Sequence, residues 1–269
     1  MIQLPSQNLS IAVQHRLNKY QQEVDQEPSY PACVDAAKKL FSKRNKTSNK
    51  TFLQIRETLT IMCSGARRCC YCEDSVADEI EHIRPKDLYP ERVFVWENYV
   101  YACGPCNGPK NNKFAVIDAA TGNLVEVNRP KNMPVLPPQP GQPALIDPRS
   151  EDPLEYLELD LLGTFYFVPK NNLDAIKLLR ANYTLDVLRL NDRDYLVDAR
   201  KESYGSYRAR LVEYIYCKNT GASQNQLNIL LSSIQHLQHP TVWREMQRQN
   251  ALIPELNHLF TQVPEALNW

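Results

Sequence analysis

The sequence reads Cys-Cys-Tyr-Cys at residues 69–72 and Cys-Gly-Pro-Cys at residues 103–106. Each of these C-x-x-C turns can present two thiolates to one ion, and two such turns complete a tetrahedral four-thiolate site. Zinc is the expected occupant, because soft thiolates in a closed tetrahedron favour it. We therefore predict a structural zinc site whose ligands are Cys69, Cys72, Cys103 and Cys106.

The distribution of the other cysteines also favours metal binding over disulfides. Six of the eight cysteines lie between Cys63 and Cys106. The first ten residues contain neither the basic nor the apolar part of a secretory signal, so we expect a cytoplasmic protein in which clustered cysteines bind metal. The alternatives are a redox-active pair or simple buried thiols. Cys70 lies inside the first turn and is not expected to be a ligand.

Composition limits the remaining possibilities. The chain has 269 residues, which suggests one large domain or two modest ones. Lysine plus arginine and aspartate plus glutamate number 31 each, which excludes a protein that is basic over its whole surface. No apolar run approaches the roughly 20 residues of a membrane helix, so no membrane association is expected.

Changes in residue pattern along the chain predict an α+β protein with four regions. Residues 1–66 have mostly helical spacing, with one helix predicted to begin at Ser10 and a further short helical stretch over residues 35–41. Residues 67–118 contain short strand-like stretches over residues 79–83 and 98–103. Eight of the 19 prolines lie between Asn128 and Pro153, so residues 119–153 are interpreted as an ordered wrap or a linker. Residues 154–269 are mainly helical, and a short β-hairpin over residues 157–168 is predicted to precede these helices. One of these helices is predicted to begin at Asn191, and another to be capped by Ser223 and to end at Pro240.

The N-terminal region contains an unusual run of positive charge. Seven lysines and arginines, and no acidic residue, lie between Asp35 and Glu57. Such a run is either a solvated surface or a set of contacts with nucleic-acid phosphates, which require unopposed positive charge. The sequence alone leaves both interpretations open.

Between and just after the two cysteine pairs lie residues suited to acid–base and metal chemistry. His82 follows Glu81 on a predicted strand, and Asn107 follows the second cysteine pair directly. Zinc bound to both pairs is expected to hold Asn107 close to Glu81 and His82. A carboxylate and an amide oxygen suit Mg²⁺, and a neutral imidazole can deprotonate water near physiological pH.

Four motifs stand out in this region: Cys69-x-x-Cys72, Glu81-His82-Ile83-x-Pro85, Glu97-Asn98-Tyr99 and Cys103-Gly104-Pro105-Cys106-Asn107-Gly108-Pro109-Lys110. Together they resemble those of an HNH endonuclease. The resemblance covers about residues 67–118. It implies a small ββα-metal module with a four-cysteine zinc site, embedded in a mainly helical chain.

The resemblance also implies roles for individual residues. His82 corresponds to the general base, and Asn98 to the residue that braces the loop between the two strands. Asn107 corresponds to a ligand of the catalytic Mg²⁺ or Mn²⁺, and Glu81 occupies the acidic position before the histidine. That position is more often Asp or His, so the longer Glu81 side chain makes the metal geometry harder to anticipate.

The function implied is hydrolysis of phosphodiester bonds, with DNA as the expected substrate. Four basic residues near the motif are candidates for phosphate contacts, namely Arg84, Lys86, Lys110 and Lys113. The alternative is a zinc-stabilised module that binds nucleic acid or docks a partner without catalysis. Such a module would require the four cysteines but not Glu81, His82 and Asn107.

Short motifs in the C-terminal half extend the resemblance. They are Ile146-Asp147-Pro148-Arg149, Ala181-Asn182-Tyr183-Thr184-Leu185 and Leu188-Arg189-Leu190-Asn191. They are similar to the HNH components of Septu-type and retron-linked antiphage defence systems. This similarity implies a companion ATPase as a partner.

Overall fold

A computed structural model describes residues 1–127, 129–130 and 132–269. Three helices open the chain: α1 (Ile11–Asp25), α2 (Tyr30–Arg44) and α3 (Lys50–Met62). The predicted helix start at Ser10 is confirmed, because the Ser10 hydroxyl accepts a hydrogen bond from the Val13 amide. Helix α2 begins earlier than the sequence pattern suggested, with Ser29 as its N-cap.

The first two strands and the helix after them lie in the middle of the chain. Strand β1 (Glu79–His82) pairs antiparallel with β2 (Tyr99–Ala102), and helix α4 (Gly104–Lys110) follows β2 almost directly. Both strands were predicted from the sequence, and the structure confirms them. In this register Glu81 lies opposite Val100 and His82 lies opposite Tyr99.

The N-terminal helices and this β-hairpin share one hydrophobic core. Leu17 of α1 and Ile55 of α3 are completely buried there, and Tyr99 of β2 packs in the same cluster. The Phe41 ring of α2 lies 4.5 Å from the His82 ring, centroid to centroid. The basic N-terminal region is thus packed directly over the hairpin.

A second small sheet follows α4. Strand β3 (Ala115–Ile117) pairs antiparallel with both β4 (Leu124–Glu126) and β5 (Gln142–Pro143). A Cβ atom at Gly141 would lie 2.5 Å from the Ile117 carbonyl oxygen, so only glycine permits this close approach. Part of the proline-rich connection is therefore ordered by strand pairing. Residues 128 and 131 of that connection lie outside the described residues.

The C-terminal region begins with the predicted hairpin, which is confirmed, and continues with helices. In chain order its elements are β6 (Leu157–Leu159), β7 (Phe167–Pro169), α5 (Ala175–Leu188), α6 (Asp194–Asn219), α7 (Gln224–Gln235), α8 (Pro240–Gln249) and α9 (Pro254–Gln262). Ser223 caps α7 as predicted, through a capping box with Gln226.

Two boundaries in this region differ from the sequence interpretation. Asn191 does not cap α6; its amide instead bonds the backbone of Phe167 in β7. Helix α7 ends at Gln235, and Pro240 begins α8 rather than ending α7. Among the described residues, no helix is both long and apolar enough to cross a membrane.

Candidate active site

The structure brings the four predicted cysteines together. All four sulfur atoms lie within 4.8 Å of one another, and all four residues are buried. A Zn–S bond of about 2.3 Å in a tetrahedral site places the sulfur atoms about 3.8 Å apart. The Cys72 and Cys103 sulfur atoms are 3.8 Å apart. The cluster therefore has the donor set and spacing to bind zinc.

Backbone hydrogen bonds hold the first pair of cysteines against the strands. The Cys69 amide donates to the Ser75 carbonyl at 2.9 Å, which closes the turn. The Cys70 amide donates to the Tyr101 carbonyl at 3.1 Å, which attaches the turn to β2. Cys103 follows β2 directly and is the N-cap residue of α4. The turn and the strand therefore place the sulfur atoms of both cysteine pairs close together.

Cys70 is buried but is not part of the cluster, as expected from its place inside the first turn. Burial raises the pKa of its thiol, which favours the protonated form. Cys70 is thus a packed neighbour of the cluster.

Arg193 was not anticipated as part of this site. Its Nη2 lies 3.3 Å from the Cys106 sulfur, and its Nη1 donates to the Pro105 carbonyl at 3.2 Å. Burial alone would lower the pKa of Arg193, but attraction to Cys106 and the hydrogen bond to its sulfur raise it overall. A guanidinium at this position offsets the negative charge of the thiolates. It also links the start of α6 to the cluster.

A cavity of about 390 Å³ lies between β1, α4 and the N-terminal helices. Three residues expected to carry the chemistry line it, namely Glu81, His82 and Asn107. Asn45 and Arg56 from the basic N-terminal stretch line the same cavity. We refer to this cavity as the cleft.

His82 is held in one orientation at the inner wall of the cleft. Its Nε2 lies 3.0 Å from the Val93 carbonyl oxygen, and its ring packs against Phe41 and Tyr99. Burial, followed by the positive charge of Lys86, lowers the pKa of His82 to about 3. The imidazole is therefore neutral near pH 7. With its proton on Nε2 donated to Val93, Nδ1 carries the lone pair that can accept a proton.

Asn98 braces the loop between β1 and β2. Its Oδ1 accepts a hydrogen bond from the Arg84 amide at 2.8 Å. Its Nδ2 donates to the carbonyls of Arg84 and Arg92, both at 3.0 Å. Since all three bonds are to backbone groups, the loop that leads from His82 to Val93 is fixed by one buried amide.

Lys110 differs from its expected role as a surface phosphate contact. Its side chain is fully buried, and its ammonium contacts Glu81 Oε1 and donates to the His82 carbonyl at 2.9 Å. A buried ammonium paired with a carboxylate is not available to grip a nucleic-acid backbone. Lys110 instead holds Glu81 in place. Glu81 Oε2 has no hydrogen-bond partner among the described residues.

Glu79 is a second residue of the site that was not predicted from the sequence. Its Oε2 accepts a hydrogen bond of 2.6 Å from Nδ2 of Asn107, and it lines the cleft. Glu79 and Glu81 are two positions apart on β1, so they share one face of the strand. That alternation is visible in the sequence and could have indicated Glu79.

The remaining basic candidates lie in different places. Lys86 lines the cleft, with its ammonium 5.7 Å from the centroid of the Phe41 ring. Arg84 stacks on Tyr89 and lines two other cavities. Lys113 lines a neighbouring cavity of about 840 Å³, which shares Asn111 and Asn112 with the cleft. Only Lys86 of these three therefore borders the cleft itself.

Replacing Cys103 with Ser should remove one of four thiolate ligands and release tightly bound zinc. Structural zinc contributes on the order of 10 kcal/mol to folding in small metal-held modules, so the region around residues 67–118 should become sensitive to proteases. Metal analysis and limited proteolysis measure both effects. The control Cys70→Ala changes a buried neighbour outside the cluster and should retain zinc. Equal zinc content in the two variants would contradict the assignment.

His82 predicts a specific dependence of stability on pH. Between pH 6.5 and pH 3 the unfolded chain binds a proton at His82 that the folded chain excludes. The free energy of unfolding should therefore fall as the pH is lowered through this range. Between pH 6.5 and pH 5.0 the free energy of unfolding should fall by about 1.5 kcal/mol more in the wild type than in His82→Gln. Urea denaturation at the two pH values measures the difference, and identical losses would show that His82 titrates normally.

Comparison with known proteins identifies a relative of part of this chain. The sequence is similar to the Septu protein PtuB of Bacillus thuringiensis, with 26% identity over 179 residues. The match covers 64% of this chain and 56% of the relative, so the chain spans little more than half of that protein's length. No family model matches the sequence.

Proposed function

We propose that the protein is a metal-dependent nuclease of the HNH type that hydrolyses phosphodiester bonds, with DNA as its expected substrate. One observation carries the proposal: Glu81, His82 and Asn107 line a single cleft beside a buried four-cysteine cluster. A binding module would require the cluster alone. The oriented imidazole supports catalysis because its contact with the Val93 carbonyl fixes Nε2 as the donor, which makes Nδ1 the proton-accepting nitrogen.

His82 acts as the general base in this proposal. Its Nδ1 takes a proton from a water molecule, and the resulting hydroxide attacks phosphorus as the bond to the 3′ oxygen breaks. The departing 3′ oxygen takes up a proton from solvent and becomes a hydroxyl. The resemblance to HNH enzymes implies a 5′ phosphate and a 3′ hydroxyl as products. The Val93 carbonyl holds the ring through Nε2 and stabilises the tautomer that the reaction requires.

Glu81 and Asn107 are the residues that would hold Mg²⁺ or Mn²⁺. Their oxygens suit a hard cation. Of the two carboxylate oxygens of Glu81, Lys110 contacts Oε1. When bound, the cation would stabilise negative charge on the phosphate and on the departing oxygen. Lys86 and Arg56 line the same cleft and are proposed to contact the nucleic-acid backbone.

Zinc has a structural role in this proposal. Four thiolates leave no open position for a water or substrate, which is typical of structural sites. Cys106 would bind the zinc, while Asn107, the next residue, serves the cleft. The two metal sites therefore share one short segment of chain and remain chemically distinct.

The biological setting is proposed to be antiphage defence. The similarity to the Septu protein PtuB supports this proposal, as do the C-terminal motifs described above. A companion ATPase is the expected partner, and the helices after β7 are the part of the chain proposed to dock it.

The nuclease proposal predicts that His82→Ala abolishes Mg²⁺-dependent nicking of a supercoiled plasmid. Loss of a general base typically reduces the rate by about 10² to 10⁴. The matched control His258→Ala removes an exposed histidine on α9 and should nick at the wild-type rate. EDTA should stop the wild type reversibly, and its zinc content should not change.

Circular dichroism and zinc analysis of His82→Ala establish that the variant is folded. Nicking by folded His82→Ala at the wild-type rate would refute the mechanism. A wild-type protein that binds DNA but never nicks it, with Mg²⁺ or Mn²⁺ present, would favour the zinc-stabilised binding module instead.

A further inference from the structure

Two side-chain bridges connect β1 to α4. Glu79 and Glu81 project from one face of the strand, while Asn107 and Lys110 are three residues apart and share one face of the helix. Asn107 bonds Glu79, and Lys110 bonds Glu81. The bridges therefore join the strand and the helix at two successive positions along the wall of the cleft.

The two bridges differ in burial, and this difference separates their roles. The Glu81 and Lys110 side chains are 8% and 0% exposed, so their ion pair is part of the packed interior. Glu79 is exposed and Asn107 is partly exposed, so their bond is accessible to water. A solvent-accessible hydrogen bond of this kind contributes little to folding stability. Its main consequence is for the orientation of the Asn107 amide.

We propose that Glu79 is a positioning residue that orients Asn107 as a cation ligand; this inference rests on the proposed function. Nδ2 of Asn107 donates to Glu79 Oε2 at 2.6 Å, a distance typical of a charge-assisted hydrogen bond. Because Nδ2 of Asn107 is hydrogen-bonded to Glu79, Oδ1 is the amide atom that remains to bind a cation. Without an acceptor at Glu79, the amide can rotate and present its NH₂ group to the cation instead.

This role assigns different functions to the two carboxylates of β1. Glu81 is proposed to bind the cation directly, with Lys110 holding one of its oxygens. Glu79 acts through Asn107, as residues behind a metal ligand commonly do, and loss of such a residue typically costs 10- to 100-fold in metal affinity. The sequence motif that marks Glu81 therefore extends two residues toward the N-terminus.

The test compares Glu79→Ala, Glu79→Gln, Asn107→Ala and the double variant Glu79→Ala/Asn107→Ala. Mn²⁺ affinity is measured on the zinc-loaded protein from the electron paramagnetic resonance signal of free Mn²⁺, and the plasmid-nicking rate is measured in parallel. Glu79→Ala should weaken Mn²⁺ binding by about 10- to 100-fold with unchanged thermal stability. Glu79→Gln retains an acceptor oxygen and should recover most of the affinity.

The double variant is the sharpest part of the test. If Glu79 acts only through Asn107, removing it from Asn107→Ala should change Mn²⁺ affinity no further. The control Glu57→Ala removes an exposed carboxylate of α3 that does not line the cleft, and it should behave as wild type.

Three results would overturn the inference: wild-type Mn²⁺ affinity in Glu79→Ala, additive losses in the double variant, or equal losses in Glu79→Gln and Glu79→Ala. The third would mean that the charge of Glu79 matters rather than its hydrogen bond. Failure of the proposed function has a separate signature. Asn107→Ala would then bind Mn²⁺ and nick plasmid as well as wild type does.

Discussion

Four buried sulfur atoms join the turn after α3 to the start of α4, and the geometry of the cleft depends on this junction. Four thiolates at such spacing repel one another unless a cation binds them, so the junction is expected to close around a metal ion. Its closure fixes the first turn of α4 beside β1. Asn107 and Lys110 are carried on that short helix, so they face Glu79 and Glu81 only when it is fixed.

Next to this junction lies the small polar cleft, and apolar side chains pack against the residues that line it. Helix α2 covers the His82 ring with Phe41, which excludes water from one side of the imidazole and favours its neutral form. Arg193 approaches the sulfur atoms from the start of α6 and links the C-terminal helices to the same junction. The N-terminal helices therefore bury part of the cleft and the C-terminal helices contact the sulfur cluster, although the motif residues all lie between them.

Local patterns in the sequence predicted both strands of the hairpin, the cap at Ser10 and the grouping of the four cysteines, because these depend on neighbouring residues or on metal-ligand spacing. The burial of Lys110 was not predictable in this way, since a lysine in a polar stretch is usually solvated and its partner lies 29 positions earlier. Arg193 was missed for the same reason, because its contact with Cys106 spans 87 positions. Charged pairs formed by tertiary packing leave no periodic signal.

In the proposed arrangement, one short segment of chain serves two separate metal sites. Crystals grown with Mn²⁺ and measured at the zinc and manganese absorption edges test it directly. We expect one zinc peak among the sulfur atoms of the four cysteines and one manganese peak in the cleft, in contact with Glu81 and Asn107. A map with no zinc at the sulfur atoms, or with manganese bound only outside the cleft, would contradict it.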